Sequence, residues 1–484
     1  MIGLPTTPPC SDVNQDEDLS SIIIGIYDVL LPCRRYRVTF KLAEVGKVSL
    51  TTEFLLRLIH TVDGMPEATV AKFFDFKPQE MTYLLNDAVS LGYISRDAGR
   101  LWLTSAGRLL FVPWDEAPQI YNVETRTMSV GFDMLSFSPE EKARIEHFDS
   151  RLPELPIDPA IAGTARDRIP TSFKHHFNDL TSRRQLRQVN RKSLYSIDEI
   201  VSTDRFTAIV PVVVKALRNN PAQGEPDLLT WRGEEYLESR PQITSAVAQF
   251  VDELRMSRPH DASAHYQILA DLAPDLMREY TGKEGVSVMR FYREVAALKG
   301  GGFSVNRRTV PILGPLVNAS NAKLVIDAIK RTAANSPISC IPQKFYWRAP
   351  ANLYWGLSRA LPKLCGQVSE YLETKTGEDL PPPVPVLIRT AGTRGPERAF
   401  SEILDISDKA FPSSVEILLV PGLSVAVLVH LPLEDSQGHA VPLGFVSFDV
   451  NVIERAERLL QEVAAIELPS ERVTEDMIDL PTES

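Results

Sequence analysis

Residues 22–31, IIIGIYDVLL, form an almost unbroken apolar run. A run of this length is a buried strand or a buried helix, and periodicity alone does not choose. From Arg37 the alternation of Val38, Phe40 and Leu42 predicts a strand. The period then becomes helical. Phe54, Leu55, Leu58, Ile59 and Val62 share one face of a helix over 51–62, which Asp63-Gly64 breaks. A short second helix follows Pro66, with Val70, Phe73 and Phe74 apolar. Pro78 suits the first turn of a third helix carrying Met81, Leu84, Leu85, Ala88, Val89 and Leu91, which stops at Gly92. Tyr93-Ile94-Ser95 and Leu101-Trp102-Leu103 predict two short strands around Asp97-Ala98-Gly99, and Thr104 or Ser105 caps another helix.

Residues 112–163 are studded with proline, with a strand expected at Thr127–Phe132 and a short helix near Pro139–Phe148. From 170 to about 300 the periodicity is largely helical. One helix face is Phe206, Ile209, Val210, Val213, Val214 and Leu217, with Pro211 as a kink. A second is Ile243, Val247, Phe250, Val251 and Leu254, and a third is Met289, Tyr292, Val295 and Ala296. Beyond 318, strands and helices alternate. A helix capped by Ser320 leads, then a strand at Ile338–Ile341, helical sequence to about Lys375, and a proline linker at 380–383. Strand Val384–Arg389, helix Glu397–Leu404, strands Val415–Val420, Val425–Leu431 and Leu443–Phe448, and helix Ile453–Val463 complete the pattern. The expected architecture is multidomain α/β (α+β). It has an acidic, mobile tail at 1–20, a domain at 21–125, a mostly helical middle at 126–317, an α/β domain at 318–466, and an acidic tail at 467–484.

The order helix–helix–helix–strand–turn–strand over 49–111, and the segment LLNDAVSLGYISRDAGRLWLTSAGRLL within it, resemble a winged helix-turn-helix domain. The order of elements in 318–466 faintly resembles one repeat of the phospholipase D-like family. That family's chemistry needs a His nucleophile with a Lys two residues on, the Lys holding the phosphoryl oxygens. Here His430 is followed by Leu431 and Pro432, and Gln437 stands where an Asp is expected, so the resemblance implies an inactive copy. The other reading of His430 is a strand histidine near a turn.

Composition and charge refine this picture. The 484 residues are 44% hydrophobic and 24% charged, which excludes a disordered, collagen-like or coiled-coil chain. Net charge is −11, but the two tails hold −4 and −5, leaving the body at −2. The acidity therefore does not exclude a polyanionic partner for the body. Four scattered cysteines lack metal-site spacing and fit a reducing cytosol, so no metal or cofactor is expected. The longest uncharged apolar stretch, 417–433, is interrupted by Pro421 and Gly422, which predicts strand–turn–strand and no membrane span.

The candidate chemistry is recognition of phosphate and base edges. Residues 164–192 carry a net +6, and on a helix Arg183, Arg187 and Arg191 would form one stripe beside Arg184 and Lys192. The same stripe also reads as a solvated face or a partner for the acidic 139–158 segment. The third helix of the winged region presents Lys77, Gln79, Thr82, Tyr83 and Asn86, with Arg96 and Arg100 in the wing. Glu80 and Asp87 oppose phosphate there, and the region nets −1. A weaker anion-binding loop follows Thr390, with Thr393, Arg394 and Arg398. His175-His176 with Asp179 invites a metal, though neighbouring histidines diverge on a helix. No nucleotide-binding glycine loop, nucleophile elbow or zinc-protease motif is present. The expected function is a non-catalytic DNA-binding or adaptor subunit of a larger prokaryotic assembly, in regulation or antiviral (phage) defence. DNA and other protein subunits are its expected partners, in the cytoplasm. The alternatives are a nuclease or phosphodiesterase with an unrecognised site, and a protein–protein scaffold.

Overall fold

The computed structural model describes residues 21–466 and 468, except 46–49, 112–117, 119–120, 184–191, 284, 299–301, 335, 353, 377–380, 391–395, 408–410 and 435–436. The tail at 1–20, and that at 467–484 apart from Leu468, lie outside the described residues. The protein is a mixed α/β multidomain chain that divides into two compact units. The smaller holds 33–141 and 159–206, and the larger holds the chain up to 32, 142–158 and everything from 207.

Strand β1 (Ser21–Val45) settles the first ambiguity, since the apolar run at 22–31 is its opening half. Further along it, Tyr36, Val38, Phe40 and Leu42 are buried at every second position. Helix α1 (Leu50–Thr61) follows in the smaller unit, burying Leu55, Leu56 and Ile59, while Phe54 is 47% exposed. Next come β2 (Met65–Pro66), α2 (Glu67–Phe74), α3 (Pro78–Ser90), β3 (Ile94–Asp97), β4 (Arg100–Leu103) and α4 (Ser105–Arg108). The three strands form an antiparallel sheet in the order β2-β4-β3. Leu55, Ile59, Val70, Met81, Leu85, Ile94 and Leu101 make the shared core. Gly92 takes φ +73° where α3 ends, a conformation that other residues adopt at a cost. Thr104, rather than Ser105, caps α4 by accepting the Gly107 N–H at 3.0 Å.

Strand β5 (Tyr121–Asp133) pairs antiparallel with 33–45 of β1 and includes the expected strand at 127–132. The helix expected near Pro139–Phe148 does not form. Pro139 bridges Phe132, and Glu140 N–H bonds the Gly131 carbonyl at 2.9 Å, so the chain is drawn against β5. Only a 3₁₀ turn, Phe148–Arg151, follows, in the larger unit. Helices α5 (Pro159–Gly163), α6 (Ala165–His175) and α7 (Phe177–Arg183) close the smaller unit. Phe173 and Phe177 pack on Phe40, ring centroids 5.3 and 5.6 Å away.

The largest correction is β6 (Lys192–Leu217), a 26-residue strand where a helix was expected over 206–217. Its buried residues are Phe206, Ala208, Val210, Val212, Val214 and Ala216, a period of two. Valine and isoleucine on both parities hid that period. Their β-branching, with a proline at 211, favours the extended chain. With β7 (Asn220–Asp227) paired to β6, the region 126–317 is not mostly helical. Both later helices named from the sequence do form, as α8 (Pro241–Glu253) and α10 (Val288–Ala297), with α9 (Ala262–Leu272) between them.

A seven-stranded sheet organises the rest of the larger unit. It is built from β8 (Thr309–Leu313), β9 (Lys344–Arg348), β10 (Val384–Thr390), β11 (Glu402–Ile406), β12 (Val415–Val420), β13 (Ser424–Leu431) and β14 (Val441–Ser447). The spatial order is β8-β14-β13-β12-β9-β10-β11, with β9, β10 and β11 mutually parallel and the other pairs antiparallel. Helices α11 (Ala319–Ala333) and α12 (Ala360–Thr376) bury Val325, Ile329, Leu361 and Val368 against Phe345, Trp347, Leu418 and Leu428. Helix α13 (Val450–Ala464) buries Val452, Ile453, Ala456 and Leu460. Asn318, not Ser320, caps α11. The strand expected at 338–341 is a 3₁₀ turn, and β9 begins only after Pro342, which has no N–H for a ladder. The helix expected at 397–404 shrinks to a turn at Glu397–Ala399, because 402–406 pair in register with β10. The apolar stretch 417–433 is the hairpin β12–β13, turning at Pro421–Leu423. No helix among the described residues is long and apolar enough to cross a membrane.

Candidate nucleic-acid interface

Helix α3 starts at Pro78, and the Glu80 carboxylate accepts the Lys77 N–H at 3.0 Å, fixing the first turn. Met81, Leu84, Leu85 and Ala88 point into the core. Helical spacing therefore turns Gln79, Thr82, Tyr83 and Asn86 outward, and all four are exposed, Tyr83 at 79%. The Thr82 hydroxyl bonds the Pro78 carbonyl at 2.7 Å. Among the described residues, the side chains of Lys77, Gln79, Tyr83 and Asn86 have no protein partner. Phe73, on α2, is 66% exposed.

The cations of the β3–β4 hairpin are differently placed. Ala98 and Gly99 take positive φ and reverse the chain between β3 and β4. Arg96 makes a two-pronged bridge to Glu67, at 2.8 and 2.7 Å, and those bonds raise its pKa further. Arg100 donates to the Gly64 carbonyl at 2.8 Å. Both residues expected to meet phosphate are therefore engaged within the unit. Asp87 accepts from Thr52 on α1 at 3.5 Å.

The basic segment is divided. Arg166 and Arg168 lie on α6, Arg168 over the Phe137 ring at 5.4 Å, and Arg183 ends α7. Arg184, Arg187 and Arg191 lie outside the described residues, and Lys192 opens β6. A single helix over 181–192 is thus replaced at its far end by a strand, and the stripe it would carry is not described. His175 and His176 have nearly perpendicular rings 4.8 Å apart. Among the described residues no three His, Cys, Asp or Glu side chains come together as a metal site.

In the larger unit, Thr393 and Arg394 lie outside the described residues. Arg398 donates to the His147 carbonyl at 2.8 Å and to the Ser150 hydroxyl, and Arg389 binds Asp405 and Glu397 at 2.8 and 2.5 Å. The described guanidiniums around the expected anion loop are held by protein groups.

His430 is buried near the end of β13. Its Nε2 meets the Glu416 carboxylate at 2.5 Å, and the other oxygen of Glu416 accepts the Trp347 indole N–H at 2.8 Å. Next to Trp347, the Arg348 guanidinium is fully buried, donating to the Ser413 and Val415 carbonyls and lying over the Phe411 ring. Burial lowers its pKa to about 10, against the pull of Glu416. Two adjoining cavities, of about 40 and about 200 Å³, reach His430. Sequence reading named His430 but missed Glu416, Trp347 and Asn352, which surround it. The available signal was a glutamate inside the otherwise apolar strand Val415–Val420.

Comparison of the chain with family models, curated proteins and solved structures finds no match.

Proposed function

We propose that the smaller unit carries a winged-helix module that places α3 against duplex DNA, and that the chain acts as a non-catalytic recognition or adaptor subunit. The outward face of α3 carries this reading. It offers an unpartnered amide pair, Gln79 and Asn86, beside Tyr83 and Lys77. Gln and Asn side chains match the donor and acceptor edge of adenine in the major groove. The order β2-β4-β3 around three helices supports the winged-helix assignment. Pro432, two residues beyond His430, supports the absence of phosphodiester cleavage, as does the capture of Nε2 by Glu416.

Fluorescence anisotropy with labelled duplex libraries tests the proposal. Asn86→Ala and Gln79→Ala should each cost about 1–3 kcal/mol on a preferred sequence. Lys77→Ala should weaken all sequences alike and lower the salt slope by about one. The duplex should remain intact throughout. Equal affinity of all variants, or cleavage of the duplex lost in His430→Ala, overturns the reading.

One observation favours a protein partner for this unit. Arg96 and Arg100 are tied internally, while Phe73 and Tyr83 are exposed. Under that reading Phe73→Ala and Tyr83→Ala abolish co-purification of a partner, and DNA affinity is absent from the start.

A further inference from the structure

We propose that the larger unit binds a multiply charged phosphate anion in the cavity between the start of α13 and the loop that enters β8. The cavity measures about 550 Å³. Small-molecule sites usually span about 300–1,000 Å³. Three stretches of chain build it: residues 273–276 where α9 ends, residues 305–309 leading into β8, and Asp449 with the first two turns of α13. Arg307 and Arg308 come from the second stretch and Arg455 from the third. Among the described residues no aromatic ring lines the cavity, so nothing there stacks on a base and charge is its handle.

These arginines are available, and the chain that carries them is held in place. Among the described residues the side chains of Arg307 and Arg308 have no protein partner. Their backbone is pinned. Ser304 and Arg307 exchange N–H to carbonyl bonds of 3.2 and 3.1 Å, and the Arg308 carbonyl accepts the Phe448 N–H at 3.1 Å. A fixed backbone lowers the ordering cost of binding. Arg455 gives one N–H to the Leu272 carbonyl at the end of α9, at 3.1 Å, and its other donors have no protein partner among the described residues. A single surface arginine is simply solvated. Three around one concavity repel one another until an anion lies among them.

The acids of the cavity do not cancel this charge. Asp275 is bridged to Arg278 at 2.8 Å, so that pair is neutral together. Asp449 is turned onto α13, its carboxylate accepting the Asn451 N–H at 3.0 Å as the helix cap. Counting Arg278 with its partner, four guanidiniums stand with two carboxylates, an excess of two positive charges. Guanidiniums stay protonated throughout the working pH range, so the excess does not depend on titration. A guanidinium fork also matches two phosphate oxygens at once. The exposed side chains of Asn306 and Asn451 add neutral donors. That excess, with room for more than one phosphoryl group, selects a phosphate chain over a monovalent anion.

Titration calorimetry on the full chain at low salt tests this, with sodium triphosphate, sulfate at matched ionic strength, and a short single-stranded oligonucleotide. Triphosphate or the oligonucleotide should bind more tightly than sulfate, and less tightly as salt rises. Arg307→Gln with Arg308→Gln should weaken that binding at least tenfold with an unchanged melting temperature. Asp275→Asn, which frees Arg278, should tighten it. Lys323→Gln with Lys330→Gln removes the same charge from exposed positions on α11 and should leave it unchanged. Triphosphate binding identifies a free phosphoanion as the source. Binding confined to the oligonucleotide, and lost in the arginine variant, identifies backbone phosphates. No binding of either up to about 5 mM, sulfate binding as tightly as both, or equal losses in the arginine and lysine variants overturns the proposal. Failure here is distinct from failure of duplex recognition, because the arginine variant leaves α3 intact and Asn86→Ala leaves the cavity intact.

Discussion

Two carboxylates of the larger unit share Arg359 and shift in opposite directions. Asp28 is buried, and that burial raises its pKa despite bonds from the Arg359 N–H at 2.6 Å and the Ser358 hydroxyl at 2.9 Å. Burial also pushes Asp149 upward. Yet bonds from the Arg359 guanidinium, at 2.9 and 2.6 Å, and from the Glu146 N–H outweigh it, and the pKa falls. The lowered Asp149 contributes stability above its unfolded value of about 3.9, lost as pH drops further. The raised Asp28 does the reverse: its stabilising, protonated form is lost as pH rises through the folded value. Melting curves should therefore show Asp149→Asn below wild type at pH 7, with the gap closing in acid. Asp28→Asn should match or exceed wild type at pH 7 and lose that advantage in acid. A wild-type lead over Asp28→Asn that widens with pH contradicts the assignment. An acid within the apolar run 22–31 was visible in the sequence, but its partners more than 300 residues away were not.

Elements were legible where apolar and polar positions alternate cleanly. Residues 49–111 mix exposed polar and buried apolar positions, so the helical and strand periods separate there. Over 206–217 nearly every position is apolar, and one sequence fits both periods. Short turns such as 397–399 were over-extended into helices because parallel pairing, the force that ends them, comes from a distant strand. A glycine inside a strand carries a different constraint. Gly444 on β14 sits between β8 and β13, and a Cβ there would lie 1.9 Å from the Val427 carbonyl oxygen. Gly444→Ala should destabilise by about 3 kcal/mol, read as a lower urea midpoint. Gly92→Ala meets no atom within 4 Å and pays only for its positive φ, about 1–2 kcal/mol. Equal losses in the two variants would remove the close-approach argument.

Across the whole molecule, the two candidate surfaces differed in how far sequence could find them. The α3 face is local, and its residues follow from one helical period. The His430 cavity draws on residues 24–27, 347, 352, 355, 416, 430 and 442, which only tertiary contact assembles. The same seven-stranded sheet also has two ends, β8 and β11. An edge of unpaired backbone groups is a template for another molecule's strand. At the β8 end Val310, Pro311 and Ile312 are buried, so that end is covered. Glu402 and Asp405 put acids along β11, steadied by Lys344 at 3.0 Å and Arg389 at 2.8 Å. Replacing both acids by valine should yield light scattering that grows with concentration, and an unchanged monodisperse profile would dismiss the idea. Two carboxylates at the exposed margin of an apolar sheet would then act as gatekeepers against strand-on-strand growth.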